Sequence, residues 1–212
     1  MKELANAVDG AGRWADAERH LAALDAGWAN LVATVGPCLL EPGTLREPWQ
    51  ALVRAVAYQQ LHGRAADAIF GRFLALYADG FPTPEQLLAT GVDAMRVCGF
   101  SARKVETIRG IAEGAASGLV PGRAQACEMD DEALVARLVS LRGIGRWTVE
   151  MILMFTLDRS DVLPVDDFGV RDGYRRLRSL DALPTPRQMG QLGEPWRPWR
   201  SADSWYLWRG PR

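Results

Sequence analysis

Two adjacent carboxylates, Asp166 and Asp167, are the groups in this 212-residue chain best suited to chemistry. They lie directly before a segment with helical character, so the pair marks the start of a helix. A carboxylate fixed beside a reacting centre stabilises positive charge that develops in a transition state, and it can orient or deprotonate a water. Aspartate is equally suited to the N-cap position of a helix. The pair is therefore predicted to cap a helix, to do chemistry, or to divide the two tasks.

Residues 141–147 form a second candidate site, because they place two glycines between two helical patterns. Gly143 and Gly145 flank Ile144, which permits a tight turn with positive φ angles and lets the isoleucine fix the turn in the core. The backbone N–H groups of the turn would lie at the N-terminus of the next helix, where free donors and the helix dipole bind anions. A DNA phosphate fits such a site without any base being read. The glycines are also compatible with a simple helix end.

The composition excludes several classes of chemistry. Cys38, Cys98 and Cys127 form no CxxC pair, which argues against a zinc ribbon, and three thiolates cannot supply the four ligands of an iron–sulfur cluster. The chain has two histidines, His20 and His62, so a His-rich metallohydrolase site is not expected. Any reaction must use carboxylates, aromatic rings and backbone groups.

Charge and hydropathy limit the partners. The net charge is −1, yet residues 141–212 carry 12 Arg and no Lys against 9 acidic residues, whereas residues 1–140 carry 13 basic and 17 acidic residues. This asymmetry is consistent with a nucleic-acid partner and equally with chance on a solvated surface. No apolar run reaches the ~20 residues of a membrane span, and acidic residues interrupt the N-terminus where a signal peptide would be apolar. We therefore expect a cytoplasmic protein without a membrane partner.

The elements that must position these groups are helical nearly throughout, since apolar residues recur at helical spacing and no segment alternates convincingly with period two. Thr83, Pro84 and Gln86 match an N-cap, a first helical position and a capping-box partner. Further helix starts are predicted at these residues: Pro48, Asp93, Ser101, Asp130 or Asp131, Thr185 and Pro198. Thr148, Met151, Ile152 and Phe155 mark a further helix. The predicted fold is all-α, with about ten short helices.

Four segments, in this order, resemble the helix-hairpin-helix DNA glycosylase superfamily, and within it the AlkA-type 3-methyladenine DNA glycosylases II. They are Ala57–Leu61, Cys98–Lys104, Leu141–Thr148 followed by Leu163–Asp167, and Pro195–Ser201 with Tyr206–Trp208. The resemblance covers roughly residues 45–209. The chain is too short for the N-terminal β-rich domain of some members, so it resembles the compact subgroup.

The resemblance implies a helix-hairpin-helix glycosylase fold, with an active-site cleft between two subdomains of one glycosylase unit spanning 1–212. One subdomain is expected at about residues 50–165, and the other at about residues 1–45 plus 168–212. The implied activity is hydrolysis of the N-glycosidic bond of an N3- or N7-methylated purine, which leaves an abasic site. The implied partner is double-stranded DNA containing a damaged base. We expect a monomer, because one subunit must clamp one flipped nucleotide.

By resemblance, Asp167 is the catalytic aspartate, and we interpret Asp166 as the helix cap. Trp147 stands at the hairpin position where related glycosylases with lyase activity carry a nucleophilic lysine. Without an amine there, no Schiff base forms, and the enzyme is expected to be monofunctional and to use water. The two lysines of the chain, Lys2 and Lys104, fall at other positions of the pattern.

Three residues, Trp147, Met151 and Trp208, match the base pocket of the family. A cationic alkylated purine gains about 0.5–2 kcal/mol of cation–π attraction on an indole face, and it is already a good leaving group. Met151 replaces a tyrosine of some members and gives a softer wall. Leu61 matches the residue that enters the duplex where the base leaves, and Gln60 beside it can hydrogen-bond bases in the gap.

The hairpin backbone is expected to contact both DNA and an ion. The phosphate donors would be the N–H groups of Gly143, Gly145 and Thr148. The resemblance also implies a Na⁺ or K⁺ ion held by backbone carbonyls near Val139, Leu141 and Ile144. No cofactor is required for the reaction, and no iron–sulfur cluster is expected.

Other functions stay open at this point. A glycosylase for oxidised purines or uracil is opposed by the missing cysteine cluster and the missing hairpin lysine. A non-catalytic helix-hairpin-helix DNA-binding module would leave Asp167 and the aromatic pocket unexplained. A helical interaction protein would use the glycines and aspartates only as caps. The lesion is also open among 3-methyladenine, 7-methylguanine, hypoxanthine, etheno adducts and 1-methyladenine.

Overall fold

The computed structural model describes residues 12–41, 46–78 and 80–210. These residues form thirteen α-helices and one 3-10 helix and contain no strand, so the all-α prediction is confirmed. The helices are α1 (Ala15–Leu24), α2 (Ala26–Val35), α3 (Pro48–Tyr58), α4 (Gly63–Leu74), α5 (Pro84–Ala89), α6 (Val92–Val97), α7 (Ala102–Ala116), α8 (Arg123–Glu128), α9 (Asp131–Leu138), α10 (Arg146–Phe155), α11 (Phe168–Leu177), α12 (Pro186–Leu192), the 3-10 helix (Glu194–Trp196) and α13 (Arg200–Leu207). None of these helices is long and apolar enough to cross a bilayer.

The chain divides into two compact units. The hairpin unit is Gly43–Leu157 and contains α3 to α10. The terminal unit combines Met1–Pro42 with Asp158–Arg212 and contains α1, α2 and α11 to α13. Lys2 lies outside the described residues, so the structure adds nothing to its interpretation.

The hairpin unit is built around α7, which packs against α3, α5 and α6. Val105, Ile108 and Ile111 recur at helical spacing on α7 and are almost completely buried. Burial of each such side chain contributes roughly 1.5–3 kcal/mol. α3 also contacts α4 and α10, and α10 packs against α9. The segment between α9 and α10 is the predicted hairpin, so both of its flanking helices are tied to the unit.

In the terminal unit α11 packs against α13, and α1 packs against α2. A Cβ added to Gly173 of α11 would overlap the backbone carbonyl of Leu207 in α13, so only glycine allows this close approach. Arg178, just after α11, hydrogen-bonds and pairs with Asp25, the N-cap of α2, at 2.9 and 2.5 Å. These hydrogen bonds lower the pKa of Asp25 to about 2.

Local capping signals predicted several helix starts correctly. Thr83 forms a capping box with Gln86. Thr185 forms the equivalent box before α12. The Ser101 hydroxyl accepts from the N–H of Lys104 at 3.2 Å, and of the two aspartates predicted for α9 Asp130 is the cap. These motifs need only neighbouring residues, so the sequence contains them completely.

Other predicted starts were wrong by a few residues. Gly91 rather than Asp93 precedes α6, and Asp93 lies in its first turn. Pro198 does not open the last helix, which begins at Arg200. Three helices, α1, α2 and α8, were not predicted, because their alanine-rich sequences bury few large side chains.

Candidate functional site

Asp167 is the N-cap of α11. Its carboxylate Oδ1 accepts hydrogen bonds from the backbone N–H of Val170 and from the indole N–H of Trp208, both at 2.8 Å. Asp166 is exposed and is not the cap, so that interpretation was wrong. A capping side chain belongs to the residue directly before the first helical residue, and Asp166 lies one position too early. Asp167, predicted by resemblance to be catalytic, is therefore also the residue that caps α11.

The contact between Asp167 and Trp208 depends on a glycine that sequence reasoning missed. A Cβ at Gly169 would lie 2.7 Å from Cδ1 of the Trp208 indole and 3.1 Å from Oδ1 of Asp167. Gly169 and Gly173 are four residues apart and thus on one face of α11. The spacing of these two glycines was the sequence signal that could have predicted a close approach of another element to this face of α11. It lets α13 and its terminal indole lie close to the start of α11.

The segment before Asp167 is anchored to the first turn of α13. The backbone N–H of Ser201 donates to the Ser160 carbonyl at 2.9 Å, and the Ser201 hydroxyl both donates to the Arg159 carbonyl at 2.7 Å and accepts from Val162 N–H at 3.1 Å. Arg200 adds hydrogen bonds to the Asp161 carboxylate. Arg200 and Ser201 of the Trp-Arg-Pro-Trp-Arg-Ser segment thus hold the irregular segment before Asp167 in place.

In the hairpin unit, the turn between α9 and α10 consists of residues 139–145, two residues earlier than the predicted 141–147. Gly143 has φ +86° and Ile144 is buried, as expected, whereas Gly145 has a negative φ of −100°. A Cβ at Gly143 would lie 2.6 Å from the Thr107 hydroxyl oxygen, so space as well as backbone geometry requires glycine there. A positive φ is therefore needed at Gly143 alone. Gly145 has an ordinary φ and has space for a side chain.

The donors available for a phosphate are fewer than predicted. The N–H of Thr148 donates to the Gly145 carbonyl at 3.0 Å. The N–H groups of Gly143 and Gly145 donate to no acceptor within the described residues. They lie at the start of α10, where the helix dipole favours an anion. The phosphate interpretation therefore rests on Gly143 and Gly145.

Arg146 stiffens the hairpin from the first position of α10. Its guanidinium pairs with Glu132 on α9 and, at 3.0 Å, with the buried Glu150 one turn further along α10. The hydrogen bonds raise the pKa of Arg146 and lower the pKa of Glu132 below its usual value. Sequence reasoning missed this residue. It ties the two helices together on either side of the turn.

The hairpin carbonyls fit a hard monovalent cation. The carbonyls of Val139 and Ile144 accept no hydrogen bond within the described residues. The Leu141 carbonyl accepts one, from Ile144 N–H at 3.1 Å, and keeps a second lone pair. Hard cations prefer carbonyl oxygens of this kind. The donor set is therefore suited to Na⁺ or K⁺.

The aromatic residues are distributed over the two units. Trp147 and Met151 are four residues apart on one face of α10 in the hairpin unit. Trp147 is 44% exposed, which is unusual for an indole and rules out a purely core position. Trp208 and Asp167 lie together in the terminal unit. The structure thus joins Asp167 directly to Trp208 by a hydrogen bond and places Trp147 and Met151 on one face of α10.

Leu61 and Gln60 lie in the turn between α3 and α4. Leu61 is 38% exposed and does not continue the core stripe of α3, which ends at Tyr58. Gln60 is exposed and has φ +56°, a conformation that non-glycine residues seldom adopt. The two candidate intercalating residues therefore project from a strained turn rather than from a packed helix.

Comparisons with known proteins agree with this arrangement. The model of the HhH-GPD superfamily of base excision DNA repair proteins matches residues 53–198. DNA-3-methyladenine glycosylase 1 of Schizosaccharomyces pombe is 46% identical over 197 residues, which cover 91% of this chain and 86% of that protein.

Two solved structures are similar along most of their length. One is 3-methyladenine DNA glycosylase (Mag1) of Schizosaccharomyces pombe in complex with abasic DNA, with TM-score 0.84, 45% identity, and coverage of 92% of this chain and 95% of that one. The other is DNA-3-methyladenine glycosidase from Bacillus halodurans, with TM-score 0.81, 32% identity, and coverage of 91% and 88%. Because the family model spans more than half of the chain, and because these relatives match nearly all of it, the chain belongs to the HhH-GPD superfamily of base excision DNA repair proteins.

Proposed function

We propose that this chain is a monofunctional DNA glycosylase that acts as a monomer on N3- and N7-alkylated purines in duplex DNA and leaves an abasic site. The substrate class is supported by relatives named for 3-methyladenine and by a similar structure bound to abasic DNA. The observation that carries the proposal is the fixed carboxylate of Asp167, oriented by the indole of Trp208 at 2.8 Å.

Asp167 would supply the chemistry. When the bond between C1′ and the base nitrogen breaks, its electron pair goes to the base and neutralises the positive charge there. The sugar becomes cationic at C1′, and a nearby carboxylate stabilises that charge. A water then forms the new bond to C1′ and releases a proton, which the carboxylate can accept. The helix N-terminus at Asp167 favours negative charge at this place throughout the reaction.

The aromatic residues would select a cationic base. Indole faces attract a positively charged purine more strongly than a neutral one, by about 0.5–2 kcal/mol. Trp147 is exposed enough to offer such a face, and Met151 offers an adaptable wall one turn away. The indole N–H of Trp208 donates to the Asp167 carboxylate, so this hydrogen bond also fixes the Trp208 ring. Because an alkylated purine is already a good leaving group, no general acid is needed.

DNA would be held by the hairpin and opened at the turn after α3. The N–H groups of Gly143 and Gly145 would receive a phosphate. A Na⁺ or K⁺ ion on the carbonyls of Val139, Leu141 and Ile144 would add positive charge beside that phosphate. Exposed Leu61 would fill the space vacated by the flipped base, with Gln60 beside it.

Strand cleavage is not part of the proposed activity. Trp147 occupies the hairpin position at which a lyase requires an amine, and Lys104 Nζ is already engaged by two backbone carbonyls. Borohydride reduction in the presence of abasic DNA would trap a Schiff base as a covalent complex. We expect no trapped complex, and a stoichiometric one would remove the monofunctional assignment.

The first experiment is release of free base from methylated duplex DNA by the parent, Asp167→Asn and Asp166→Asn. Asparagine caps helices about as well as aspartate and offers the same oxygen to Val170 and Trp208, so Asp167→Asn should melt like the parent. It should nevertheless lose at least about a hundredfold in rate, because the negative charge is gone. Asp166→Asn is the matched control and should keep the parent rate.

Two other outcomes would favour different functions. DNA binding without base release by the parent would favour a non-catalytic helix-hairpin-helix module. Release of other bases with methylpurines untouched would favour a glycosylase for a different lesion. A panel of duplexes, each carrying one defined lesion, separates these cases.

A further inference from the structure

Lys104, in the first turn of α7, joins this helix to the end of α3. Its ammonium Nζ donates 2.8 Å hydrogen bonds to the backbone carbonyls of Ala57 and Gln59. The last carbonyls of a helix have no partner within the helix, and a positive charge near them interacts favourably with the negative end of the dipole. Lys104 thus satisfies and stabilises the C-terminus of α3 from outside.

A lysine is unusual in this chain. The sequence contains 23 Arg and two Lys, Lys2 and Lys104, so arginine is the cation used almost everywhere else. An ammonium is a compact charge with three donors on a flexible stem, whereas a guanidinium is a planar fork that matches carboxylates. The carbonyls of Ala57 and Gln59, two residues apart in one backbone segment, suit an ammonium better than a guanidinium. Burial of the side chain also lowers the pKa of Lys104.

The carbonyls that Lys104 binds lie at the start of the turn that carries the exposed Leu61. The turn has little internal support, with Leu61 N–H donating to the Tyr58 carbonyl at 3.3 Å. Gln60 within it has φ +56°, which a free chain would readily leave. Such a conformation persists only when surrounding contacts determine it. The two hydrogen bonds from Lys104 are contacts of this kind.

Lys104 also lines a cavity of about 170 Å³ within the hairpin unit. Gln60 of the turn, Gly143 of the hairpin and Thr107 of α7 line the same cavity. Thr107 is the residue that packs against Gly143 and makes glycine necessary there. One side of α7 therefore supports both the turn at Leu61 and the hairpin.

We propose that Lys104 is a positioning residue for base flipping, which fixes the turn of Gln59–Leu61 so that Leu61 is already in place when it meets the duplex. The proposal rests on the glycosylase function proposed above. Lys104 acts through Leu61 and does not touch the base. Its removal should therefore affect the opening of duplex DNA and spare the chemical step.

The test compares Lys104→Met with Arg109→Met. Arg109 lies on the same helix and donates to the carbonyls of Leu88 and Thr90 at 3.1 and 3.0 Å, so it caps the end of α5 in the same manner, away from the turn. Three quantities are measured: hydrogen–deuterium exchange of a peptide spanning 57–62, base release from methylated duplex DNA, and base release from the same methylated strand without its complement.

We expect Lys104→Met to raise the exchange rate at 57–62 and to lower duplex base release, each by about tenfold. Release from the single strand should change by less than about threefold, because no duplex has to be opened. Arg109→Met should leave the exchange at 57–62 and both rates of base release near those of the parent.

Three results would overturn the proposal. Exchange at 57–62 could be unchanged in Lys104→Met, it could rise equally in Arg109→Met, or base release could fall equally on duplex and single-stranded DNA. A parent that releases no base would contradict the proposed glycosylase function instead. The exchange comparison would still decide whether Lys104 fixes the turn, so the two failures are distinguishable.

Discussion

The indole N–H of Trp208 and the backbone N–H of Val170 donate to the same carboxylate oxygen of Asp167, each at 2.8 Å. Two donors from different elements fix the rotation of the carboxylate more tightly than either alone. One of them belongs to the helix that Asp167 caps, and the other to a side chain 41 positions further along the chain. The orientation of the Asp167 carboxylate therefore depends on the packing of α11 against α13.

Trp208→Phe keeps an aromatic ring and removes the donor. A hydrogen bond to a charged group contributes about 1.5–3 kcal/mol, so base release should fall by roughly tenfold or more. Single-turnover rates at saturating DNA measure this directly. Trp199→Phe, in the same unit, alters an indole that packs edge-on against Trp14 and serves as the control. Equal rates for Trp208→Phe and the parent would show that the indole does not orient the carboxylate during reaction.

Gly143→Ala should lower the stability of the protein, whereas Gly145→Ala should keep the stability and weaken DNA binding. The first places a Cβ at positive φ and 2.6 Å from the Thr107 hydroxyl, so the free energy of unfolding should drop by about 1–3 kcal/mol. The second meets nothing within 4 Å and has ordinary φ, so stability should be kept. If a phosphate approaches Gly145, its added methyl should still weaken DNA binding. Thermal melts and fluorescence anisotropy with labelled DNA separate the two effects.

Gly173→Ala and Gly110→Ala form a pair of helix substitutions with opposite expected signs. A Cβ at Gly173 overlaps the backbone at Leu207, so α11 and α13 must separate, at about 1–3 kcal/mol or more. A Cβ at Gly110, within α7, meets nothing within 4 Å, and alanine should stabilise the helix by about 0.5–1 kcal/mol. Urea unfolding of both variants is the measurement. A neutral Gly173→Ala would mean that the helices tolerate a wider spacing.

Asp203 of α13 should make the protein less stable at high pH. Its side chain is buried, and within the described part of the chain neither carboxylate oxygen has a hydrogen-bond partner. Burial raises its pKa well above the usual value, the charge of Asp161 adds to this, and Arg200 opposes it. The folded chain therefore holds this proton more tightly than the unfolded chain. Its stabilising contribution is complete below the unfolded pKa of about 3.9 and is lost as the pH rises toward the folded pKa.

Asp203→Asn removes that titration at nearly constant volume. We expect the variant to melt above the parent at pH 8 and the difference to shrink as the pH falls to about 4. Asp181→Asn, an exposed substitution in the same unit, should show no such trend. A gap between Asp203→Asn and the parent that is independent of pH would mean that the carboxyl does not change its protonation on folding.

The limits of sequence reasoning are clear at the start of α11. Asp166 and Asp167 are chemically identical candidates for a cap, and local rules alone do not rank them. Asp167 is the cap because the backbone becomes helical at Phe168. The indole of Trp208, which is remote in sequence, also donates to its carboxylate. Thr83 and Thr185 posed no such problem, because each has its capping partner three residues away.

The hairpin was predicted well in outline and less well in its details. Alternation of Gly143, Ile144 and Gly145 is sufficient to predict a tight turn with a buried isoleucine. That Thr148 N–H is consumed by the Gly145 carbonyl depends on how the first turn of α10 closes, which the residue types do not determine. The support of Gly143 by Thr107 comes from another helix and has no local signature.

The position of Asp167 at a helix N-cap also has an evolutionary consequence. Asparagine satisfies the same cap and the same indole, so selection for a stable fold does not distinguish it from aspartate at this position. On the proposed mechanism, selection for base release maintains the negative charge. A single substitution that is silent for folding would separate a repair enzyme from a protein that finds alkylated DNA and leaves it uncut, and such descendants would persist wherever marking a lesion is useful.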